Sequence, residues 1–122
     1  MGLILTQKRS LTERHEKAIR HALEAIKQSE LSSYVEDVIL YGSCARYEQR
    51  WSSDVDLCLV LKPSIKEVEG YRSLIHILKG TISEEEPASV EVDLKVLIGN
   101  KWENDHSLYC RNVRKDGISL WQ

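Results

Sequence analysis

Two aspartates one residue apart, Asp54 and Asp56, stand at the head of the apolar run Leu57-Cys58-Leu59-Val60-Leu61. On an extended strand such residues point to the same side, about 6–7 Å apart. Carboxylates so placed repel each other, and a hard divalent cation would neutralise that repulsion. Magnesium takes oxygen ligands and usually shares its shell with substrate phosphates. A third acid, Asp93, lies on the polar side of the alternating stretch "VEVDLKV", residues 90–96. If that stretch lies beside residues 54–61, three acids gather at one edge. Two-metal phosphoryl transfer uses such an edge, one ion activating the attacking oxygen and the other steadying the departing phosphates. Asp93 could then also accept the proton of an attacking hydroxyl. Taken singly, Asp54 and Asp56 also fit solvated charge at a strand start, and the E-x-D-x-K face around Asp93 fits any exposed strand.

Gly42-Ser43 supplies a candidate phosphate end. Glycine lets the backbone turn tightly and approach a ligand. Ser43 adds a hydroxyl, and a short helix beginning near Cys44 would offer backbone N–H groups to a triphosphate. Ser43 could equally serve as a helix cap. Arg46 and Arg50 are near enough to pair with phosphate oxygens, although Arg46 fits equally as an ion-pair partner for Glu48 or Asp54. Trp51 could stack on a base or pack over its loop. His15, His21, His76 and His106 show no metal-ligand spacing; the first three read as ordinary helix residues, and nothing requires His106 at the site.

The elements that must position these groups can be read from periodicity. Ser10 to about Glu30 predicts a helix, with Ser10 and Glu13 as a capping box and Leu11, His15, Ala18, Ile19, Ala22, Ala25 and Ile26 on one face. Tyr34–Tyr41 predicts a strand ending at Gly42, and Asp54–Leu61 a second one stopped by Pro63. Ser64 and Glu67 predict the start of a long helix, weakened slightly by Gly70. "SEEEP", residues 83–87, reads as a charged connector, and residues 90–96 as a third strand. Asn104 or Asp105 would cap a last helix through Lys115, with Gly117 as its stop and "ISLW" as a short terminal strand or tail. The order predicts an α+β domain with a small mixed sheet covered by helices.

Bulk properties narrow the classes. The 122 residues suit a single domain, 1–122. With 42% hydrophobic and 30% charged residues, the balance is that of an ordinary globular protein. A net charge of −2 gives no electrostatic case for direct nucleic-acid binding or for an anionic membrane surface. Apolar runs are too short to span a bilayer. "MGLILTQKRS" has no basic n-region or cleavage site and reads as mature chain rather than signal peptide. Three cysteines without a C-x-x-C pair, Cys44, Cys58 and Cys110, argue against a disulfide framework or a structural zinc site. They read as packing residues in a reduced, cytoplasmic compartment.

Gly42-Ser43, ten residues, then Asp54-Val55-Asp56 resembles the signature of the minimal nucleotidyltransferases, a branch of the DNA polymerase β superfamily. The stretch "GSCARYEQRWSSDVDL" strengthens this through Ala45-Arg46, Glu48 and Ser53, and "SLYCRNVRKDGISLW" is similar to the family's last helix and G-I-x-L tail. The resemblance implies a polymerase-β palm-like sheet, magnesium as two ions on Asp54, Asp56 and Asp93, and transfer of a nucleoside monophosphate from an NTP such as ATP. Gly42, Ser43 and Arg46 would hold the nucleotide. Many such proteins are antitoxins whose partner is a helical HEPN ribonuclease, modified with AMP on a tyrosine. Two alternatives stay open: a small hydroxylated acceptor such as an aminoglycoside, and an antitoxin that acts by binding alone. The base, the acceptor and the oligomeric state, including a homo-oligomer, are not fixed by the residues.

Overall fold

Leu57, Cys58, Leu59 and Leu61 are all completely buried. A strand with no exposed side must be covered on both faces and flanked on both edges, and the rest of the fold does this. The computed structural model describes residues 12–48, 50, 53–84, 90–104 and 107–121. Helix α1 (Glu13–Gln28) leads into strands β1 (Val35–Tyr41) and β2 (Val55–Leu61). Helix α2 (Tyr71–Glu84), β3 (Val92–Ile98), α3 (Leu108–Asp116) and the short β4 (Ile118–Ser119) follow.

The sheet order is β3-β2-β1-β4. β1 is antiparallel to β2 and to β4, whereas β2 and β3 are parallel. Parallel neighbours need a long crossover, and α2 provides it. On one face Val55, Leu57, Leu59 and Leu61 pack with Ala18, Ala22 and Ile26 of α1 and with Leu78 and Ile82 of α2. On the other, Ile39, Tyr41, Cys58 and Val60 pack with Val113 of α3. Burying one such leucine contributes about 1.5–3 kcal/mol, so β2 anchors both layers. The result is the small mixed sheet packed with helices expected of the polymerase-β-like fold.

Several boundaries differ from expectation for identifiable reasons. α1 begins at Glu13 because Thr12, not Ser10, is its N-cap, its side chain accepting from the His15 amide; Ser10 and Leu11 lie outside the described residues. Ser64 does not start the long helix. Pro63–Glu67 forms a separate 3-10 turn, and Gly70 sits at φ +76°, a left-handed conformation that no α-helix continues through, so α2 starts at Tyr71. Ser83 and Glu84, expected to open the connector, belong to α2, and the rest of that stretch, residues 85–87, lies outside the described residues. β3 is displaced towards Ile98 because it stays paired with β2 up to Leu61↔Ile98. Lys101–Asn104 is a 3-10 turn, and Ser107 holds the cap position of α3 in place of Asn104 or Asp105. Gly117 does end α3, its N–H donating to the Val113 carbonyl at 2.9 Å. Trp51, Asp105 and His106 lie outside the described residues. Among the described residues no helix is long and apolar enough to cross a membrane.

Candidate active site

The parallel pairing of β2 and β3 starts both strands at one end of the sheet, and β1 finishes there. In this register Asp56 faces Asp93 across β2 and β3, and Tyr41 faces Asp56 across β1 and β2. Gly42 follows directly, at φ +78°. A Cβ on Gly42 would stand 2.5 Å from Asp56 Oδ2, so the position excludes a side chain both by backbone and by space. Asp54 is exposed just before β2. The Val55 N–H donates to the Glu91 carbonyl at 2.9 Å, and the Cys44 thiol to the Asp54 carbonyl at 3.6 Å. The strand pairing expected from the sequence is present as β2 against β3, with Asp56 beside Asp93, while Asp54, expected to open the strand, lies just outside it.

The chain after Gly42 is a turn, not the short helix expected near Cys44. The Arg46 N–H donates to the Gly42 carbonyl (3.3 Å), the Tyr47 N–H to Cys44 (3.2 Å) and the Glu48 N–H to Ser43 (2.8 Å). Tyr47 adopts φ +57°, which stops any helix from propagating. Ser43 lies in this turn, half-buried beside Gly42. Arg46 bridges two carboxylates, Glu48 and Asp116 at the end of α3, each at 2.8 Å. These two hydrogen bonds raise its already high pKa. The Glu48 partner is among the expected alternatives, while Asp116 is not. Arg50 takes part through its backbone: its N–H donates to Ser53 Oγ (2.7 Å), and the Ser53 N–H returns to the Arg50 carbonyl (3.0 Å).

The electrostatics centre on Asp56. Burial raises its pKa most, followed by the charges of Asp93 and Asp54, while Lys95 and Arg46 pull it down. Lys95 Nζ lies 3.0 Å and 3.3 Å from the two oxygens of Asp93, an exposed pair of the kind that contributes little to stability. Burial pushes the Cys44 thiol up to about 11, with Asp56 and Asp54 adding to it. Cys58 is pushed up to about 12 by burial, Cys110 and Asp37. Thiols held so high are protonated at neutral pH, which fits packing and not nucleophilic roles.

Among the described residues no three His, Cys, Asp or Glu side chains already form a closed cation nest. The three aspartates share an edge without converging on one point. Their chemistry nevertheless fits magnesium: they are hard oxygen donors, and that ion commonly uses one or two carboxylates with the remaining positions filled by water and phosphate. Asp54 and Asp93, with Glu91, Val92 and Ser83 from the end of α2, line an open polar depression of about 520 Å³. Ser83 and Glu91 are not expected there from the sequence, and only the crossover brings Ser83 to this edge. His15 reads from the sequence as an ordinary helix residue but is wholly buried, its Nε2 2.9 Å from the Ser53 carbonyl.

Residues 19–119 match the nucleotidyltransferase domain family. A chain in the crystal structure of a toxin-antitoxin with AMP-PNP overlays with a TM-score of 0.55 at 17% identity, covering 87% of this chain and 72% of that one. A Sulfolobus solfataricus protein assigned as a nucleotidyltransferase overlays less well, with a TM-score of 0.45 at 23% identity over 92% of this chain and 90% of that one. A search of curated proteins found no significant match. The matched segment runs from within α1 to the last strand and contains the Gly42 turn and all three aspartates, so this chain belongs to the nucleotidyltransferase domain family.

Proposed function

We propose that this protein moves AMP from ATP to a hydroxyl group of a protein partner, as the antitoxin half of a toxin–antitoxin pair. The observation that carries the reading is the register that sets Asp56 opposite Asp93 beside the Gly42 turn, within a chain of this family. ATP and a protein partner are suggested by the related fold, which was crystallised as a toxin-antitoxin with AMP-PNP.

Asp54 and Asp56 would hold magnesium, with Asp93 completing the set for a second ion. Magnesium, when bound, neutralises the phosphates and acidifies the attacking hydroxyl. The Gly42-Ser43 turn would lie against the β- and γ-phosphates, where the missing side chain of Gly42 lets the backbone approach. The acceptor oxygen attacks the α-phosphorus, and the bond from that phosphorus to the bridging oxygen breaks. Pyrophosphate leaves with that electron pair. Asp93, exposed on the depression, takes the hydroxyl proton. The acceptor we favour is a tyrosine on a helical HEPN-type partner, entering from the side lined by Ser83 and Glu91.

Intact-mass spectrometry of the chain co-expressed with its partner tests this. The partner should gain about 329 Da, one AMP. An unmodified partner under saturating magnesium-ATP, with rapid nucleotidylation of an aminoglycoside by the chain alone, would transfer the reading to a small-molecule acceptor. A partner that is neutralised but never modified would leave an antitoxin acting by binding.

A further inference from the structure

Among the described residues His15 is the polar side chain wholly removed from solvent. It sits on α1 next to Ala18 and Ile19, both core residues, where a Leu or Phe would fill space without burying an imidazole. The ring is used at both nitrogens. Nε2 lies 2.9 Å from the Ser53 carbonyl, and Nδ1 meets Thr12 Oγ1. A carbonyl can only accept, so Nε2 carries the hydrogen. Thr12, which caps α1 by accepting from the His15 amide, thereby also sets the ring's orientation.

The position of the accepting carbonyl gives this bond its meaning. Ser53 immediately precedes Asp54, and β2 pairing begins only at Val55. The peptide that carries Asp54 therefore stands outside the ladder, with the Val55–Glu91 bond on one side and the Ser53–Arg50 bond on the other. His15 ties it across 38 residues to a helix that is itself packed on the sheet. Both Thr12 and His15 precede residues 19–119, the segment that matches the family.

We infer that His15 is a positioning residue for the aspartate pair: its Nε2–H holds the Ser53 carbonyl and so fixes the peptide from which Asp54 projects. The inference rests on the proposed role of those aspartates in holding magnesium and ATP. An α1 that shifts on the sheet would move Asp54 with it.

The test compares His15→Phe, which keeps a ring without a donor, with His15→Gln, which keeps a donor. Two quantities are read on the folded, full-length chain: amide hydrogen exchange at Ser53 and Val55 against Leu57 and Leu59, and the magnesium concentration giving half-maximal ATP affinity. In His15→Phe the Ser53 and Val55 amides should exchange about tenfold faster while the strand interior changes little, and the magnesium midpoint should rise about tenfold, the scale of one lost hydrogen bond. His15→Gln should recover most of both. Should the Phe variant not fold, His15→Gln against His15→Met puts the same question. Exchange that rises evenly along β2, a magnesium midpoint that stays put, or a Gln variant no better than Phe or Met would reduce His15 to core filling. Wild-type ATP binding that ignores magnesium would instead sink the proposed function, while the exchange comparison still decides whether His15 holds the loop.

Discussion

Gly42→Ala tests whether the carboxylate of Asp56 must lie where it does. Two effects add at this position. The backbone is at φ +78°, where an L-residue costs about 1–2 kcal/mol relative to glycine. The new Cβ would also stand 2.5 Å from Asp56 Oδ2, whereas a comfortable carbon–oxygen contact needs about 1 Å more. The obstructing atom is the tip of a side chain, so the carboxylate can swing aside at modest cost to the fold. It cannot do so and still meet a cation in the same place. Gly70 offers a matched control: it has φ +76°, and a Cβ there would meet nothing within 4 Å. Both alanine variants should therefore melt about 4–10 °C below wild type. Gly42→Ala alone should lose magnesium-dependent ATP binding and pyrophosphate release, by about 100-fold, as expected for a reacting group misplaced by about 1 Å. Melting curves in EDTA, calorimetry with magnesium-ATP and a pyrophosphate assay measure the three effects. If the two variants behave alike in all of them, the contact between Gly42 and Asp56 has no functional consequence.

Asp56→Asn should abolish transfer yet leave metal-free protein as stable as wild type or more so at neutral pH. The sign follows from a folded carboxyl that titrates above its unfolded value: stability is unaffected at low pH and is lost as pH rises from about 4 through the folded pKa, because the ionised group must then sit half-buried beside Asp93 and Asp54. Melts from pH 3 to 8 in EDTA should show that fall in wild type and a flatter profile in the variant; parallel profiles would make the burial and repulsion negligible. Asp93→Asn should lower turnover more than ATP affinity, since its proposed partner is the attacking hydroxyl, and equal losses by calorimetry and rate would move Asp93 to the nucleotide side. Chelating divalent ions should weaken ATP binding by wild type, as the acidic edge then faces the triphosphate unscreened; equal affinity in EDTA would remove the metal from the reading.

Much of this is legible from residue order because the signals are local. The apolar run at 57–61 and the alternation at 90–96 each describe a few neighbouring residues; the first falls within β2 and the second overlaps β3, while the chain turns at Gly42 as glycine allows. Boundaries are lost where several local signals compete. Ser64 and Glu67 look like a capping box, but both lie inside a 3-10 turn that Pro63 opens, and Gly70 then leaves helical space, so the long helix starts later. Near Cys44 the residues fit a helix start, yet Tyr47 at positive φ ends the turn at once.

The non-local part of the site can be anticipated only where two strands already carry matching chemistry. Asp93 has no local mark that separates it from any exposed strand acid; what singles it out is the parallel register with Asp56, and that depends on α2 returning the chain to the same end of the sheet. The same crossover brings Ser83 to the depression. His15 is the harder case. On a helical wheel its position is one more member of the apolar stripe, and a lone histidine there is usually just packed. Its partner is a backbone carbonyl, which no sequence pattern encodes, at the end of a loop 38 residues away. Yet a carboxylate edge that repels itself needs a firm backbone as much as it needs a counter-ion: a repelled side chain on a loose peptide relieves the strain by moving. The buried histidine on α1, and the Cys44 thiol on the Asp54 carbonyl and the Gly42 backbone against Asp56 in the turn after β1, all restrain that edge. Positions that hold the aspartates in place therefore lie both on α1 and in the turn after β1, while the aspartates themselves fit within one short motif and one strand.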